Sequence, residues 1–404
     1  MTGESLPIME RNTIDTPPDH PGLQRDPIYL DYNATTPVDP RVAQDMAQVI
    51  AREFGNPSSQ HAYGRSARAV LDVARIRVAE LIGATTGRLV FTGSGSEADA
   101  LAIRGLVREK LLSRGPSHVI TQVTEHPAVL AACGALRDEF GVAITVLEVD
   151  RDGIVDPSEV ANAMRDETVL VSIMHANNET GTIQPIAEIA RLAHQRGVLV
   201  HCDAAQSLGK VPVDVEKLGV DLLTIVGHKM YAPKGVGALW IRDGVTLASL
   251  IAGGGQEWGL RAGTENVASL AGLGRAAELA REALAGGESE RLAELRDSLW
   301  RALVDGLGNR IVLNGHAETR LPNTLNVSID GLRAVDLLER TALIAASTGS
   351  ACHAGHDAPS PVLLAMGASH DRAMAAMRLS LGRWSTAEEV ERAAEAIARA
   401  AASR

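Results

Sequence analysis

In LLTIVGHKMYAPKGVG, Leu222 to Gly237, a lysine directly follows a histidine at the end of an apolar run. A lysine after a strand usually sits in solvent. Behind such a run, however, desolvation lowers its pKa and makes the amine nucleophilic enough for a Schiff base. Upstream, LVHCDAAQSLG sets Asp203 at the end of an apolar stretch with Gln206 three residues on. Two readings are open for Asp203. It either caps the next turn or holds a heterocyclic nitrogen protonated while the Gln206 amide donates to a nearby oxygen. Neighbouring Cys202 fits a small core residue better than a reactive thiol.

Further upstream, VFTGSGSEADALAIRG ends a strand in a Gly/Ser turn that opens a helix. Backbone N–H groups around Gly95 and the Ser96 hydroxyl converge where the helix dipole favours an anion. The turn matches neither the dinucleotide fingerprint nor the P-loop, so a plain strand-to-helix turn is its other reading. A phosphate turn, an acid for a ring nitrogen and a Schiff-base lysine, in that chain order, are the parts pyridoxal phosphate requires.

The elements that must position these residues alternate. RLVFTGS, SHVITQV, TVLVSIMHA and VLVHCDA are short apolar runs separated by Ala/Leu/Arg stretches of helical period. Continuous apolar strands between amphipathic helices predict an α/β domain whose mostly parallel sheet is buried on both faces. Near Ala276 the pattern shifts to a long helical segment, a strand at TLNVSID and a C-terminal helix. The expected organisation is a flexible arm over residues 1–27, a large domain over 28–276 and a smaller α+β domain over 277–404.

The 404 residues are 45% hydrophobic, 22% charged and only 3% aromatic, which predicts a large aliphatic core. A formal charge of −11 without any Lys/Arg block excludes a nucleic-acid binder. No segment has the apolar length of a membrane span, and the N-terminus lacks a signal-peptide core. Cys133, Cys202 and Cys352 are too few for a disulfide framework, so a reducing, cytoplasmic setting is expected.

YLDYNATTP, GNPSSQHAYGRSAR, TEHPAVL, MHANNETGTIQPI, HCDAAQSLGK, GHKMYAPKGVGALW, GGGQEWGLRAGTEN, LPNTLNVSI, GSACHAGHDAPSPVLLAMG and MRLSLGRWST occur in this order. Together they resemble the cysteine desulfurase and selenocysteine lyase family of fold-type I pyridoxal-phosphate enzymes, from about Pro27 to the last helix. The resemblance implies a seven-stranded sheet and a homodimer. It makes Lys229 the Schiff-base lysine, Asp203 the partner of the pyridinium nitrogen and Gln206 a donor to the ring's phenolic oxygen. His126 is then the imidazole stacked on the ring. Gly95, Ser96 and His228 are the phosphate contacts within the chain, Thr92 is structural, and Thr264 reaches the neighbouring subunit's phosphate. Asn33, Asn178 and Arg378 orient the substrate, Arg378 through a bidentate contact to its α-carboxylate.

By the same resemblance Cys352 attacks the substrate's sulfur and leaves as a persulfide, with a protein as the final sulfur acceptor. His353 and His356 would tune its acidity or donate protons. A buried structural Cys352 is the plainer reading. Cys352, His353, His356 and Asp357 are badly spaced for a closed tetrahedral site, so no metal is expected. Two positions depart from the family pattern. Val226 stands where many cysteine desulfurases carry a phosphate-binding serine, and Trp258 where arginine is common. Selenocysteine is the alternative substrate to L-cysteine, and an aminotransferase using the same cofactor is the more distant reading.

Overall fold

The computed structural model describes residues 17–348 and 358–402. Cys352, His353 and His356 lie outside these residues. Among the described residues the strands are β1 (Ile28–Tyr29), β2 (Arg88–Thr92), β3 (His118–Gln122), β4 (Ala143–Leu147), β5 (Thr168–Ser172), β6 (Leu199–Asp203), β7 (Leu222–Val226), β8 (Gly237–Ile241), β9 (Ile311–Leu313), β10 (Thr324–Ile329), β11 (Ile344–Ala345) and β12 (Ala376–Ser380).

Seven of them form one sheet in the order β2-β8-β7-β6-β5-β3-β4. Only β8 runs against its neighbours. Every residue of β3, β5, β7 and β8 is buried, as the unbroken apolar runs require when helices cover both faces. Leu223 and Ile225 of β7 are fully buried. Truncating either to alanine costs about 2–5 kcal/mol, so the strand that carries Lys229 is firmly seated.

A second core surrounds the antiparallel sheet β12-β10-β9. Helices Glu288–Leu307 and Ala387–Ala402 supply Leu292, Leu299, Leu303, Val390 and Ile397 to it. The change of core comes later than the shift expected near Ala276. Helix Val267–Ala285 runs through that point, and Ala276, Ala277, Leu279 and Ala280 pack in the large core. The chain turns instead at Gly287, with φ 87°. A helical period shows that a helix has an apolar stripe, but not which core it faces.

The chain's start departs from the expectation as well. β1 pairs in parallel with β11, so Ile28 and Leu30 sit in the second core. The described part of the arm is tied down. His20 Nε2 donates to Val38 O at 3.0 Å, and Trp384 Nε1 donates to Pro18 O at 2.9 Å.

Buried Arg383 joins the two cores. Its Nη1 lies 2.8 Å from Asp39 Oδ2, its Nε lies 3.4 Å from Glu288 Oε2, and its guanidinium stacks 4.2 Å over Tyr231. This clamp fixes β12, with Arg378, against the end of β7. No helix among the described residues is long and apolar enough to cross a membrane.

Candidate active site

The site forms where the parallel strands end, the edge at which open α/β sheets gather loops and helix N-termini. Asp203 is the last residue of β6. β7 continues to Val226 and turns through Gly227–Lys229, which brings Lys229 back across the sheet edge. Its Nζ donates to the carbonyls of Asn33 and Ala34 at 2.6 and 2.7 Å. His126 follows β3 and caps helix Pro127–Phe140, its Nδ1 accepting from Ala128 N–H at 3.2 Å.

Asp203 Oδ1 accepts from Ala205 N–H at 2.8 Å, the turn-capping contact that the sequence left open. Burial pushes its carboxyl up, while that N–H and the nearby His126 and Lys229 pull it back. The same surroundings hold the His126 imidazole below its ordinary value, chiefly through desolvation. Behind Asp203 lie Asp99 and Glu125, both pushed well up by burial and by its charge. Glu125 Oε1 accepts from Met174 N–H at 2.6 Å and from Gln122 Nε2 at 3.0 Å. Three buried carboxyls thus crowd this end of β6, and Asp203 is the one whose surroundings include Lys229 and His126.

Gln206 is buried and donates through Nε2 to Asn33 O at 3.0 Å. A primary amide has two N–H bonds, so one is left to donate. Asn33 does not reach outward as expected of a substrate contact. Its Oδ1 accepts from Lys210 Nζ and Asn323 Nδ2, and its Nδ2 donates to Thr324 Oγ1 and Asn178 O. That amide is saturated by the protein and orders the floor of the site.

Arg378 is buried on β12. Its Nη2 pairs with Asp31 at 2.7 Å and its Nη1 donates to Asn178 O at 2.9 Å. Its Nε is buried without a hydrogen-bond partner among the described residues. The carbonyl of Asn178 holds the guanidinium, and its side chain is half-buried.

At the anion turn Ser94, not Ser96, caps the helix, accepting from Glu97 N–H at 3.1 Å. Ser96 is exposed. Val226 fills the place of the family's serine. A Cβ on Gly95 would fall 2.4 Å from Val226 Cγ2, so glycine is required there. The Thr92 hydroxyl donates to Ser94 O at 2.9 Å within the turn. His228 Nδ1 shares a hydrogen bond of 3.1 Å with Thr35 Oγ1. Burial and nearby lysines bring that imidazole down to about 4. Cys202 is a fully buried strand residue whose thiol burial pushes up.

The loop that carries Thr264 meets the anion turn through Arg261, whose Nε donates to Glu97 Oε1 at 2.9 Å, and Thr264 is exposed. Its anchor was not legible in the sequence. Glu257 is buried, pairs with Arg75 through both oxygens at 2.9 and 3.0 Å, and accepts from Phe91 N–H at 2.9 Å. Glu257 and Trp258 both have left-handed backbones, φ 46° and 57°. Trp258 stacks 4.6 Å from the Arg75 guanidinium, so it braces the loop from the position where arginine is common.

A buried carboxyl beside a lysine amine, an amide N–H left over, and a buried arginine with an unused donor fit a pyridoxal ring and an amino-acid carboxylate. With the mostly parallel sheet they define a fold-type I enzyme. The class-V aminotransferase family model matches residues 28–393. The cysteine desulfurase IscS of Anaeromyxobacter dehalogenans is 46% identical over 368 residues, covering 90% of either chain. That of Pectobacterium atrosepticum is 44% identical over 376 residues, covering 92% of either. A solved NifS-like protein superposes with a TM-score of 0.84 at 36% identity, over 92% of this chain and 98% of the other. The chain belongs to the cysteine desulfurase family within the class-V aminotransferases.

Proposed function

We propose that this chain binds pyridoxal 5'-phosphate through Lys229 and removes sulfur from L-cysteine, giving L-alanine and a persulfide on Cys352. The observation that carries this reading is the meeting of the Lys229 amine with the carbonyls of Asn33 and Ala34, beside the Asp203 and His126 pair.

Asp203 would hold the ring nitrogen, Gln206 the ring oxygen through its remaining N–H, and His126 the ring face. Gly95, Ser96 and His228 would hold the phosphate. When bound, the cofactor supplies an electron sink for charge developing at the substrate's α-carbon. Arg378 binds the α-carboxylate, and its unused Nε supplies the second prong of a bidentate contact. Lys229 moves the α-proton. The Cys352 thiolate forms a bond to the substrate's sulfur as the carbon–sulfur bond breaks. The electron pair stays on the β-carbon, which takes a proton and leaves as alanine. A thiol, or an acceptor protein, then removes the persulfide sulfur.

The working form in this proposal is a homodimer in the cytoplasm. Phe54 and Tyr63 are 75% and 60% exposed while packing on each other at 4.9 Å. Beside them a groove of about 480 Å³ is lined by Val49, Val70, Val73 and Ala271. A second copy would cover these apolar groups and receive Thr264 in its phosphate site.

Product analysis of cofactor-loaded protein with L-cysteine and a reducing thiol tests the reading. Alanine and sulfide in equal amounts are expected. A keto acid whose formation requires an amino acceptor would make the chain an aminotransferase. Faster turnover of L-selenocysteine that survives Cys352→Ser would instead make it a selenocysteine lyase.

A further inference from the structure

Lys210 follows a left-handed glycine, Gly209, and its side chain runs inward beneath the site, where the residue is 7% exposed. Buried lysines are rare unless paired with a carboxylate. Lys210 has no such partner among the described residues. Its Nζ donates to Gln206 Oε1 at 2.8 Å and to Asn33 Oδ1 at 3.2 Å. Burial, and after it the positive charges of Lys229 and Arg378, hold its ammonium well below the ordinary lysine range. A side chain kept at that cost, one residue removed from the Lys229 amine, calls for a reason beyond packing.

The Gln206 amide provides one. The two ends of an amide have nearly the same shape, so only its hydrogen bonds decide which end points where. Here both ends are decided. The Asn33 carbonyl can only accept, so the end that meets it is the nitrogen, and the end that meets Lys210 Nζ is the oxygen. The opposite end donates one N–H to Asn33 O at 3.0 Å, the carbonyl that also receives Lys229 Nζ at 2.6 Å. The other N–H is thereby aimed, and rotating the amide would set its carbonyl against that of Asn33 and withdraw the acceptor from Lys210.

We propose that Lys210 is a positioning residue that locks the Gln206 amide with its free N–H toward the cofactor's ring oxygen. This rests on the functional reading above and extends it to a group that touches neither substrate nor cofactor. Loss of the lock leaves Gln206 free to present its carbonyl to that oxygen, an acceptor facing an acceptor. The effect is expected on the electronic state of the ring, and little on the binding of cysteine.

Lys210→Met, Gln206→Ala and the double variant, each loaded with pyridoxal phosphate, test this through the visible absorption band and the pH at which it changes. Lys210→Met is expected to move that midpoint by about one pH unit, a tenfold change in the protonation equilibrium. It should lower kcat about tenfold or more with KM for cysteine within about threefold, the pattern of a lost transition-state contact. Gln206→Ala should shift the band alike, and the double variant no further, because coupled residues are not additive. If Lys210→Met does not fold, Lys210→Gln, one bond shorter and still a donor, takes its place. Its expected shift is smaller and likewise absent from the Gln206→Ala background. An unchanged band in the Lys210 variant, or a shift that adds in full to that of Gln206→Ala, overturns the proposal. A wild-type chain that takes up no cofactor or yields no alanine overturns the underlying reading, which separates the two failures.

Discussion

At the floor of the site Asp203, Gln206, Lys210 and Asn33 are each under a tenth exposed, whereas at the rim Ser96 and Thr264 face solvent and Trp258 is 51% exposed. Floor polar groups are bonded to one another across segments distant in sequence, with Asn33 receiving from Gln206, Lys210, Lys229 and Asn323. The rim loop is held by the Arg75–Glu257 pair, which carries two left-handed residues, and by Arg261, whose Nε lies 2.9 Å from Glu97 Oε1. A single chain therefore preorganises the groups that handle charge, the arrangement electrostatic catalysis favours. The rim instead presents surface that a second copy could complete.

The floor should be the more sensitive region. Lys229→Ala removes both the covalent attachment and the base, and should lower turnover by about 10⁴-fold or more. Steady-state alanine production within about tenfold of wild type would move the chemistry elsewhere. Asp203→Asn keeps the turn but loses the charge. A fall of about 10²–10³ in kcat with little change in KM is expected, since the lost interaction acts in the catalytic step.

At the rim, Arg75→Met leaves Glu257, whose side chain is 3% exposed, buried without its cation. Breaking a buried pair from one side costs about 3–5 kcal/mol. Denaturant unfolding should show that loss, and a change under about 1 kcal/mol would mean the loop does not depend on the pair.

Glu179 probes the floor through pH. Burial raises its carboxyl from 4.5 to about 7, with Ser360, whose hydroxyl donates to it at 2.5 Å, and Arg378 pulling it back. An acid whose folded pKa is raised binds its proton more tightly in the folded state. Its contribution is greatest below the unfolded value and is lost as pH rises through the folded one. Wild type should lose on the order of 3 kcal/mol across that window relative to Glu179→Gln. Parallel stability curves for the two proteins would contradict this.

The smallest effect belongs to Thr264→Ala, with cofactor affinity falling about threefold, the loss of a single exposed hydrogen bond. Mixed dimers with the Lys229→Ala chain sharpen the comparison. The intact lysine site then receives Thr264 from the other chain, and its affinity should return to the wild-type value. No recovery would place Thr264 in its own chain's site.

Two residues of the site were legible because an apolar run announces burial and the polar residue at or after its end stands out. Lys229 after β7 and Asp203 ending β6 are of this kind. Strand β4 escaped notice because it is a half-exposed edge strand without a continuous apolar signature. Lys210 follows Gly209 with no local sign that its ammonium turns inward. Arg75 and Glu257 lie 182 residues apart, so nothing local reports their pairing. Ala276 lies within a helix that packs in the large core, and its apolar stripe alone does not report which core it faces.

In the proposed reaction Cys352 takes sulfur from cysteine while the floor handles the charge. A single-turnover experiment with L-cysteine and no reducing thiol tests it most directly, with alanine counted per chain and Cys352 examined by peptide mass. A rapid burst of one alanine per chain, arrest, and the gain of one sulfur atom on Cys352 are expected. Alanine that continues past the burst at the same rate in Cys352→Ala, with no sulfur gained by the wild-type cysteine, would contradict it.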